Sequence, residues 1–458
     1  MDWQAESWTN WEGNQHCRAT VCIADDLDDL RLILQKAKSD GRTVRVGNGG
    51  LGHAYSGSFS GSPVVSNEGG IIVQIPKINQ GFVHQDGSQR ITAQAGMLLG
   101  DFVDLASRHG LALETAPVPL FIQIGGAVAL SCHGCGNHGG TISDLVVGME
   151  ILKHDGTLQK ITKEENPELL KAAQVNLGAL GIMYTVTLQC TSQYKLHAVD
   201  EFRPMAPAID GIRDLVMGHD YVELFWIPFT EQVWVKRWNK KPWDTPSRNL
   251  PGLGNRIQQE LSVLLGTRAL ELLLKHPHWT PFVMNLLKRT IWTGERTGPP
   301  ATIFHYQQKF PRKLWDLSYA LPIGPDFEIF KSAWQLTIGK VASYQEAGRF
   351  PMNFLMHIRF LDHSDGYLAP AFGQERKFMY EVITFIGTDH QQFFDEIEQQ
   401  LLRLGGRPHW GKTYGEHLDF HKIWDGNLVR FDEIRREMDP EGLFLNPFLR
   451  RIFGVSQQ

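Results

Sequence analysis

A glycine-rich segment follows a short apolar run at residues 43–46. It reads Gly49-Gly50-Leu51-Gly52-His53-Ala54-Tyr55-Ser56-Gly57 and places four glycines around one histidine. Glycine weakens helices and strands, but it lets the backbone approach another molecule closely. The segment therefore predicts a strand followed by a loop that is pressed against a ligand, with His53 in position to contact it.

The amino-acid composition is that of a globular protein. With 458 residues, of which 42% are hydrophobic and 21% charged, the chain can bury a large core. Its 45 basic and 50 acidic residues give a formal net charge of -5, and they form no polybasic run. Binding to a nucleic-acid backbone requires concentrated positive charge. We therefore expect no nucleic-acid partner.

Two further observations concern the compartment. No apolar stretch reaches the roughly 18 residues of a membrane-spanning helix, and the first residues lack the basic start and apolar core of a secretory signal. The five cysteines, an odd number in a chain of this length, form no disulfide framework. We expect a cytoplasmic protein without a membrane span.

The first part of the chain alternates helix and strand signals. Asp25 or Asp26 can cap a helix whose apolar positions recur at helical spacing until Gly41 ends it, and a second helix is predicted over residues 98–109. Strands are predicted over residues 43–46, 71–75, 91–95, 146–153, 157–161 and 182–189. This pattern is typical of an α+β region of roughly 190 residues.

The chain changes character at about residue 194, where aromatic residues and prolines become frequent. The sequence predicts a hairpin over residues 221–227 and 232–238, a mainly helical stretch over 250–300, a strand over 354–361 and a helix that ends at Gly405. A second domain of roughly 200 residues and a short return to the first domain fit this pattern.

A second glycine-rich segment runs from Ile124 to Gly140. Its Cys132, His133, Cys135 and His138 have the donor types of a zinc site. A loop whose backbone amides bind a ligand is the alternative, since six glycines accompany these residues between Gly125 and Gly140. A plain turn with hydrogen-bonded histidines is the third interpretation.

A third segment combines His409, Trp410 and Lys412 within four residues, directly after the Gly405-Gly406 helix end. A lysine held close to a ligand can stabilise a developing negative charge. The alternative is a buried Trp410 beside a solvated Lys412.

Together the three segments resemble the vanillyl-alcohol-oxidase type of FAD-linked oxidases, in the branch of the gulonolactone, arabinonolactone and alditol oxidases. The C-terminal block from Arg407 to Lys412 is the most specific part of the resemblance. Other matching segments are Trp8-Thr9-Asn10-Trp11, Leu180-Gly181-Ile182, Phe225-Trp226-Ile227-Pro228, Asp439-Pro440 and Asn446.

The resemblance implies an α+β fold: a two-part FAD-binding domain of the vanillyl-alcohol-oxidase type with an inserted substrate (cap) domain. The implied divisions are residues 1–195 for FAD binding, 196–404 for the substrate domain and 405–458 for the return. The implied cofactor-binding residues are Gly47, Asn48, Gly49, Gly50, Leu51, Gly52, His53, Ala54, Gly125, Gly126, Ser131, Cys132, His133, Gly134, Gly136, Ile182 and Asn446.

His53 matches the histidine that often bonds covalently to the flavin in this family. The loop departs from the family pattern, because Gly50 and Leu51 lengthen it and Ala54 replaces a serine. A second flavin bond is not expected, because no cysteine stands near Pro119.

Such enzymes oxidise a carbon that bears a hydroxyl by hydride transfer to flavin N5. Lys412 matches the family lysine that stabilises the reduced flavin, and His409 is expected to support the ring or to orient Lys412. Arg359 aligns with an arginine on the central strand of the substrate domain, and His357 points to the same side because strands have a period of two.

His357 stands where polyol oxidases carry a glutamate. It could act as a general base at neutral pH, and a structural histidine is the alternative. Glu381 or Tyr380 could take the place of the missing carboxylate.

These residues predict an FAD-dependent enzyme that oxidises an alcohol carbon of a sugar-like substrate, with O2 as the electron acceptor. A dehydrogenase of the same fold, or an oxidase of a nucleoside, a sterol or another bulky alcohol, is the alternative within this class. A non-catalytic protein that binds metal through the Cys132 to His138 cluster is the alternative from another class.

Overall fold

The structure is a computed structural model, and it describes residues 3–47, 62–137, 139–250, 271–304 and 313–456. The described strands are, in chain order, β1 Ala5–Thr9, β2 His16–Ile23, β3 Val44–Val46, β4 Ile71–Gln74, β5 Gly81–Val83, β6 Arg90–Gln94, β7 Leu111–Ala112, β8 Val146–Leu152, β9 Leu158–Thr162, β10 Ile182–Gln189, β11 Thr191–Ser192, β12 Lys195–Pro204, β13 Tyr221–Trp226, β14 Gln232–Lys241, β15 Gly294–Gly298, β16 Leu314–Pro322, β17 Leu355–Leu361, β18 Lys377–Phe385 and β19 Arg407–Pro408.

The described α-helices are α1 Leu27–Ser39, α2 Leu99–Arg108, α3 Ile124–Ala129, α4 Pro167–Gln174, α5 Met205–Asp210, α6 Ile212–Met217, α7 Thr280–Lys288, α8 Pro300–Ile303, α9 Glu328–Glu346, α10 Gln391–Arg403, α11 Phe420–Trp424, α12 Gly426–Met438 and α13 Pro447–Phe453. Short 3-10 helices lie at Ile142–Leu145, Pro277–Trp279 and Pro325–Phe327. Within the described ranges, no helix is long and apolar enough to cross a membrane.

Two sheets and the last helices share one hydrophobic core. The first sheet has the order β1-β2-β4-β3 and mixes antiparallel with parallel pairs, and the second is antiparallel in the order β5-β6-β10-β8-β9. Side chains from α1, from both sheets and from α12 and α13 meet in this core, among them Leu34, Ile71, Val186, Phe431 and Phe448. The end of the chain therefore packs against its beginning.

The third sheet has eight strands in the order β15-β12-β14-β13-β17-β18-β16-β19, and all its neighbouring pairs are antiparallel. One face is apolar and packs on α9 and α10, as Leu224 and Ile358 meet Phe330 and Phe393 in a second core. Because side chains alternate along a strand, every second residue of these strands faces the other way.

Several predicted elements are confirmed. α1 begins after Asp26, whose carboxylate accepts a hydrogen bond from the Asp29 amide at 3.0 Å, and Gly41 follows it with a φ of 63°. The strand over residues 182–189 is found at those residues. The division of the chain into residues 1–195, 196–404 and 405–458 stays a prediction.

The helical interpretation of residues 250–300 is wrong in part. Helix α7 occupies Thr280–Lys288, but Gly294–Gly298 forms the edge strand β15, which pairs with β12. A strand that begins and ends with glycine and carries charges between them lacks the apolar alternation by which strands are recognised. Residues 251–270 of this stretch lie outside the described ranges.

Arg45 on β3 joins three distant segments of the chain. Its guanidinium donates hydrogen bonds to the carbonyl oxygens of Val64 at 2.9 Å, Gly178 at 2.9 Å and Phe444 at 2.7 Å, and also to that of Leu177. The side chain is only 2% exposed. Buried carbonyl groups need such donors, so Arg45 fixes the C-terminal return to the first sheet.

We expect Arg45→Met to lower the free energy of unfolding by about 3 kcal/mol or more, because several buried carbonyl groups lose their donor. Urea unfolding followed by circular dichroism measures this change. Arg18→Met on β2 of the same sheet is the matched control, since Arg18 is exposed and should change stability by less than about 0.5 kcal/mol. Equal losses for both variants would show that Arg45 does not have this role.

Candidate active site

A cavity of about 480 Å³ opens between the shared core and the eight-stranded sheet. Its first wall includes Gly47, Gly125 and Gly126 of the glycine-containing segments, together with larger side chains such as Trp11 and Phe121. Its second wall is the non-helical face of the sheet. A volume of this size is typical of sites for small molecules and cofactors.

Strand alternation explains why charged residues meet on the second wall. On β17, Ile358 and Phe360 face the apolar core, so His357 and Arg359 face the cavity. The prediction that these two share a side is therefore confirmed. The neighbouring strands contribute Glu223, Phe225, Trp234, Lys236, Leu314, Asp316, Glu381 and Ile383 to the same wall.

Glu381 is the centre of a buried ion cluster. Its Oε2 accepts a hydrogen bond from Arg359 Nη2 at 2.6 Å and lies 3.1 Å from His357 Nδ1. Only 2% of its side chain is exposed. Burial alone would raise the pKa of Glu381, but Arg359, His357 and Lys412 outweigh burial and hold the pKa well below its usual value. Glu381 therefore remains ionised.

His357 lies between two carboxylates. Its Nε2 is 3.5 Å from Glu223 Oε2, while its Nδ1 faces Glu381. The imidazole stacks on the Phe225 ring with a centroid distance of 4.0 Å and an interplanar angle of 16°. Burial opposes ionisation of Glu223, yet His357 and the nearby cations lower its pKa to about 2. Carboxylates at both nitrogens stabilise an imidazole that has gained a proton.

The loop that carries Lys412 is attached to β16. The His409 amide donates to Ser318 O at 2.9 Å, and the Thr413 amide donates to Asp316 O at 3.0 Å. Lys412 Nζ bonds to Asp316 Oδ2 and lies 3.9 Å from Glu381 Oε1. Burial disfavours the charge on Lys412, but the two carboxylates outweigh burial and raise its pKa. The cavity thus holds a fixed positive charge.

His409 begins this loop, lines the cavity and faces His133. The two ring centroids are 5.4 Å apart, and both side chains are buried. His409 Nδ1 accepts a hydrogen bond from the Gly411 amide at 3.0 Å, and its carbonyl accepts one from the Lys412 amide at 3.0 Å. Burial and Lys412 lower the pKa of His409 to about 3. His409 is therefore neutral and fixes the turn that presents Lys412.

Five of the predicted cofactor-binding residues line the cavity: Gly47, Gly125, Gly126, Cys132 and His133. The predicted residues Asn48, Gly49, Gly50, Leu51, Gly52, His53 and Ala54 lie outside the described part of the chain. Gly47 is the one predicted residue of the first glycine loop that the structure describes. It follows β3 as expected.

Three other predicted residues, Ser131, Gly134 and Gly136, do not line the cavity. A Cβ on Gly134 would lie 2.5 Å from Ala116 O, and the Gly136 amide donates to Phe360 O at 2.9 Å. Ser131 is 1% exposed and has a φ of 58°. This part of the segment therefore packs on protein, and only Cys132 and His133 within residues 131–136 face the cavity.

Ile182 and Asn446 are not among the residues that line the cavity, although Gly181 and Met183 on either side of Ile182 are. Ile182 begins β10, pairs with Leu152 and is fully buried. Asn446 caps α13 by accepting from the Leu449 amide at 2.9 Å, and its Nδ2 donates to the carbonyl oxygens of residues 63, 64 and 66. With its polar atoms engaged in this way, the Asn446 side chain joins α13 to residues 63–66.

The choice between Glu381 and Tyr380 is settled by the direction of the side chains. Tyr380 points into the apolar core, where its hydroxyl donates to Ala333 O at 3.0 Å and bonds Thr337 Oγ1 at 2.6 Å. Glu381 faces the cavity and pairs with His357 across β17 and β18.

Four further residues line the cavity that the sequence did not predict: Glu223, Asp316, Lys236 and Glu12. For Glu223, Lys236 and Asp316, the signal available in the sequence was a charged residue inside an otherwise apolar strand.

The cavity also meets the requirements of a large polar cofactor. A Cβ on Gly126 would have no described heavy atom within 4 Å, so this part of the wall leaves room for a ligand. Arg359 Nε, Asp316 Oδ1 and Glu12 Oε2 are buried polar atoms without hydrogen-bond partners among the described residues. Unpaired buried polar groups of this kind are typical of a site completed by a ligand.

The zinc interpretation finds no support. Cys132 and His133 line the cavity, whereas Cys135 does not. Within the described ranges, which exclude His138, no group of three or more His, Cys, Asp or Glu residues could hold a metal ion.

Comparisons with known proteins agree with this geometry. Residues 19–162 match the model of an FAD binding domain, and residues 186–452 match that of D-arabinono-1,4-lactone oxidase. L-gulonolactone oxidase of Mus musculus is 24% identical, with 97% of each chain covered. L-gulono-1,4-lactone dehydrogenase of Mycobacterium tuberculosis is 23% identical, with 98% of this chain and 99% of the relative covered.

A solved structure of similar fold is cholesterol oxidase from B. sterolicum, with a TM-score of 0.79 at 18% identity over 98% of this chain and 97% of the other. This likeness confirms the predicted fold class, and the FAD binding domain confirms the cofactor. Since the second family model covers more than half of the chain, the protein is an FAD-linked oxidoreductase that belongs to the D-arabinono-1,4-lactone oxidase family.

Proposed function

We propose that this protein oxidises a secondary alcohol carbon of an aldonolactone, with O2 as the final electron acceptor. The observation that carries the proposal is His357 held between Glu223 and Glu381 in the cavity that also contains Lys412. The names of the relatives, which are lactone oxidases and lactone dehydrogenases, support the substrate class. The relatives include both oxidases and dehydrogenases, so O2 as the electron acceptor is part of the proposal.

Oxidation of an alcohol carbon removes a hydride and the hydroxyl proton. FAD, when bound, supplies the hydride acceptor at its N5. We assign the proton to His357, since the imidazole is in the cavity and the ionised carboxylates on either side stabilise it after it gains a proton. Stacking on Phe225 restricts the ring to one orientation.

The cations of the cavity have separate roles in this proposal. Arg359 bonds to Glu381 at 2.6 Å and to His133 O at 3.2 Å, so it holds the carboxylate and orients the substrate-facing wall. Lys412 provides a fixed positive charge that can stabilise negative charge developing during the reaction. Because it lies in a buried site, its effect exceeds that of a solvated lysine.

The two hydrophobic cores support the proposed domain division. The first core joins residues before about 190 with α11 to α13, and the second joins β13, β16, β17 and β18 with α9 and α10. We propose that the first core belongs to the FAD-binding part and the second to the substrate part.

The described cysteines are all free thiols, which supports the proposed cytoplasmic location.

Anaerobic bleaching of the flavin tests the function directly. The purified protein is mixed, without oxygen, with a panel of aldonolactones, polyols, free sugars, nucleosides and sterols. We expect an aldonolactone to bleach the flavin absorbance and admitted air to restore it. Bleaching by a sterol alone would contradict the substrate class, and a flavin that stays bleached in air would contradict O2 as the acceptor.

Lys412→Met should slow flavin reduction by the active substrate by about 10²- to 10³-fold, the usual loss when a group that stabilises transition-state charge is removed. Anaerobic stopped-flow measurement of the flavin absorbance gives this rate. Lys422→Met is the control, because Lys422 is exposed on α11. An unchanged rate in Lys412→Met would refute the role of this lysine.

His357→Ala should slow the same step by about 10²- to 10⁴-fold, the contribution typical of a positioned general base. The measurement is the reduction rate as a function of pH, with the flavin spectrum as a check on the fold. His363→Ala serves as the control, since His363 follows β17 and pairs with Asp362 at 3.0 Å. A rate and pH profile equal to those of the unmodified enzyme would make His357 a structural residue.

A further inference from the structure

Glu12 occupies an unusual position at the tip of the β1–β2 hairpin. The hairpin turn is fixed by Asn10, whose Oδ1 accepts hydrogen bonds from the Gly13 amide at 2.9 Å and the Gln15 amide at 3.0 Å. Asn10 is itself buried, at 3% exposure. A turn tip is ordinarily exposed, but this one inserts Glu12 into the cavity wall.

The Glu12 side chain is buried, and one of its two carboxyl oxygens is unpaired within the described part of the chain. It is 8% exposed, and its Oε2 has no hydrogen-bond partner among the described residues. An unsatisfied buried carboxyl oxygen is costly. Since the side chain lines the cavity, a ligand in this corner can satisfy it.

The positive charges near Glu12 do not outweigh the effect of burial on its carboxyl group. Lys412 and Lys313 attract a negative charge there, whereas Asp316 repels it. Burial is the largest influence and, with Asp316, raises the pKa of Glu12 to about 8. At neutral pH the carboxyl group therefore carries a proton and can donate a hydrogen bond, which an ionised carboxylate cannot do.

We propose that Glu12 is a protonated hydrogen-bond donor to the molecule bound in the Lys412 corner of the cavity, and that it sets the local charge there. The inference extends the proposed function, because the bound molecule is taken to be the flavin cofactor. While Glu12 is neutral, Lys412 is balanced by Asp316 and Glu381. When Glu12 ionises, the corner gains one negative charge and loses a donor.

This change of charge has a spectroscopic consequence. A carboxyl group that ionises beside a bound chromophore shifts the absorbance of that chromophore. The visible spectrum of the substrate-free holoenzyme is therefore expected to titrate with a midpoint near pH 8. Glu12→Gln keeps the shape and a donor but cannot ionise, so the transition should be absent in this variant.

The experiment records flavin spectra between about pH 6 and about pH 10 for the unmodified enzyme, Glu12→Gln and Glu6→Gln. Glu6 is an exposed glutamate on the same hairpin and should leave the transition unchanged. A transition that persists in Glu12→Gln, or that is absent from the unmodified enzyme, would overturn the proposal. No substrate is present, so failure of the proposed reaction leaves this result unaffected.

Thermal unfolding gives a second test that does not require bound flavin. An acid whose pKa rises on folding, here from 4.5 to about 8, holds its proton more tightly in the folded chain, so stability falls as the pH rises through this window. Glu12→Gln removes this loss. We expect its melting temperature to exceed that of the unmodified protein by more at pH 8 than at pH 5, and Glu12→Ala should show the same pH dependence. Parallel pH curves for all three proteins would contradict a buried, protonated Glu12.

Discussion

The structure depends on burying many charges on one face of a single sheet. Glu223, Asp316 and Glu381 carry the carboxylates, and Lys236, Arg359 and Lys412 carry the opposing cations, all within the same cavity wall. One uncompensated charge in such a place would be strongly destabilising, whereas a balanced cluster is tolerated when hydrogen bonds complete it. The numbers of carboxylates and cations in this set are equal, and His357 lies between them as the group that can change its charge. Catalytic and structural requirements therefore fall on the same side chains.

The eight-stranded sheet also determines where Lys412 is held. Antiparallel pairing brings β19 to the edge of β16, and the backbone bonds of His409 and Thr413 continue along that strand. The lysine thereby reaches Asp316, 96 residues earlier in the sequence. A fixed backbone ladder positions the charge, which limits the reorganisation needed during a reaction. On the other wall, Arg45 fixes the return of the chain to the first sheet.

The sequence predicted features that depend on one strand or one motif. The period of two was enough to place His357 and Arg359 on one face, and the alternation in residues 182–189 located β10. Glu223 and Asp316 escaped detection because their roles depend on which strands are neighbours, and a single strand does not encode its partners. Asn446 was selected by its motif, and the structure shows its side chain capping α13, whereas its role toward the cofactor stays a prediction. Resemblance located these segments without giving the direction of each side chain.

The resemblance places His357 where polyol oxidases carry a glutamate, and the strand register shows which carboxylate Arg359 has in this chain. β17 and β18 pair His357 with Glu381, so a carboxylate from the adjacent strand lies 2.6 Å from Arg359. The arginine keeps its acidic partner although the family position on its own strand holds an imidazole. Glu223 from β13 then flanks the opposite ring nitrogen at 3.5 Å. The replacement thus adds a group that can accept a proton without removing the ion pair that holds the wall together, and the carboxylates that stabilise the fold also stabilise the protonated imidazole.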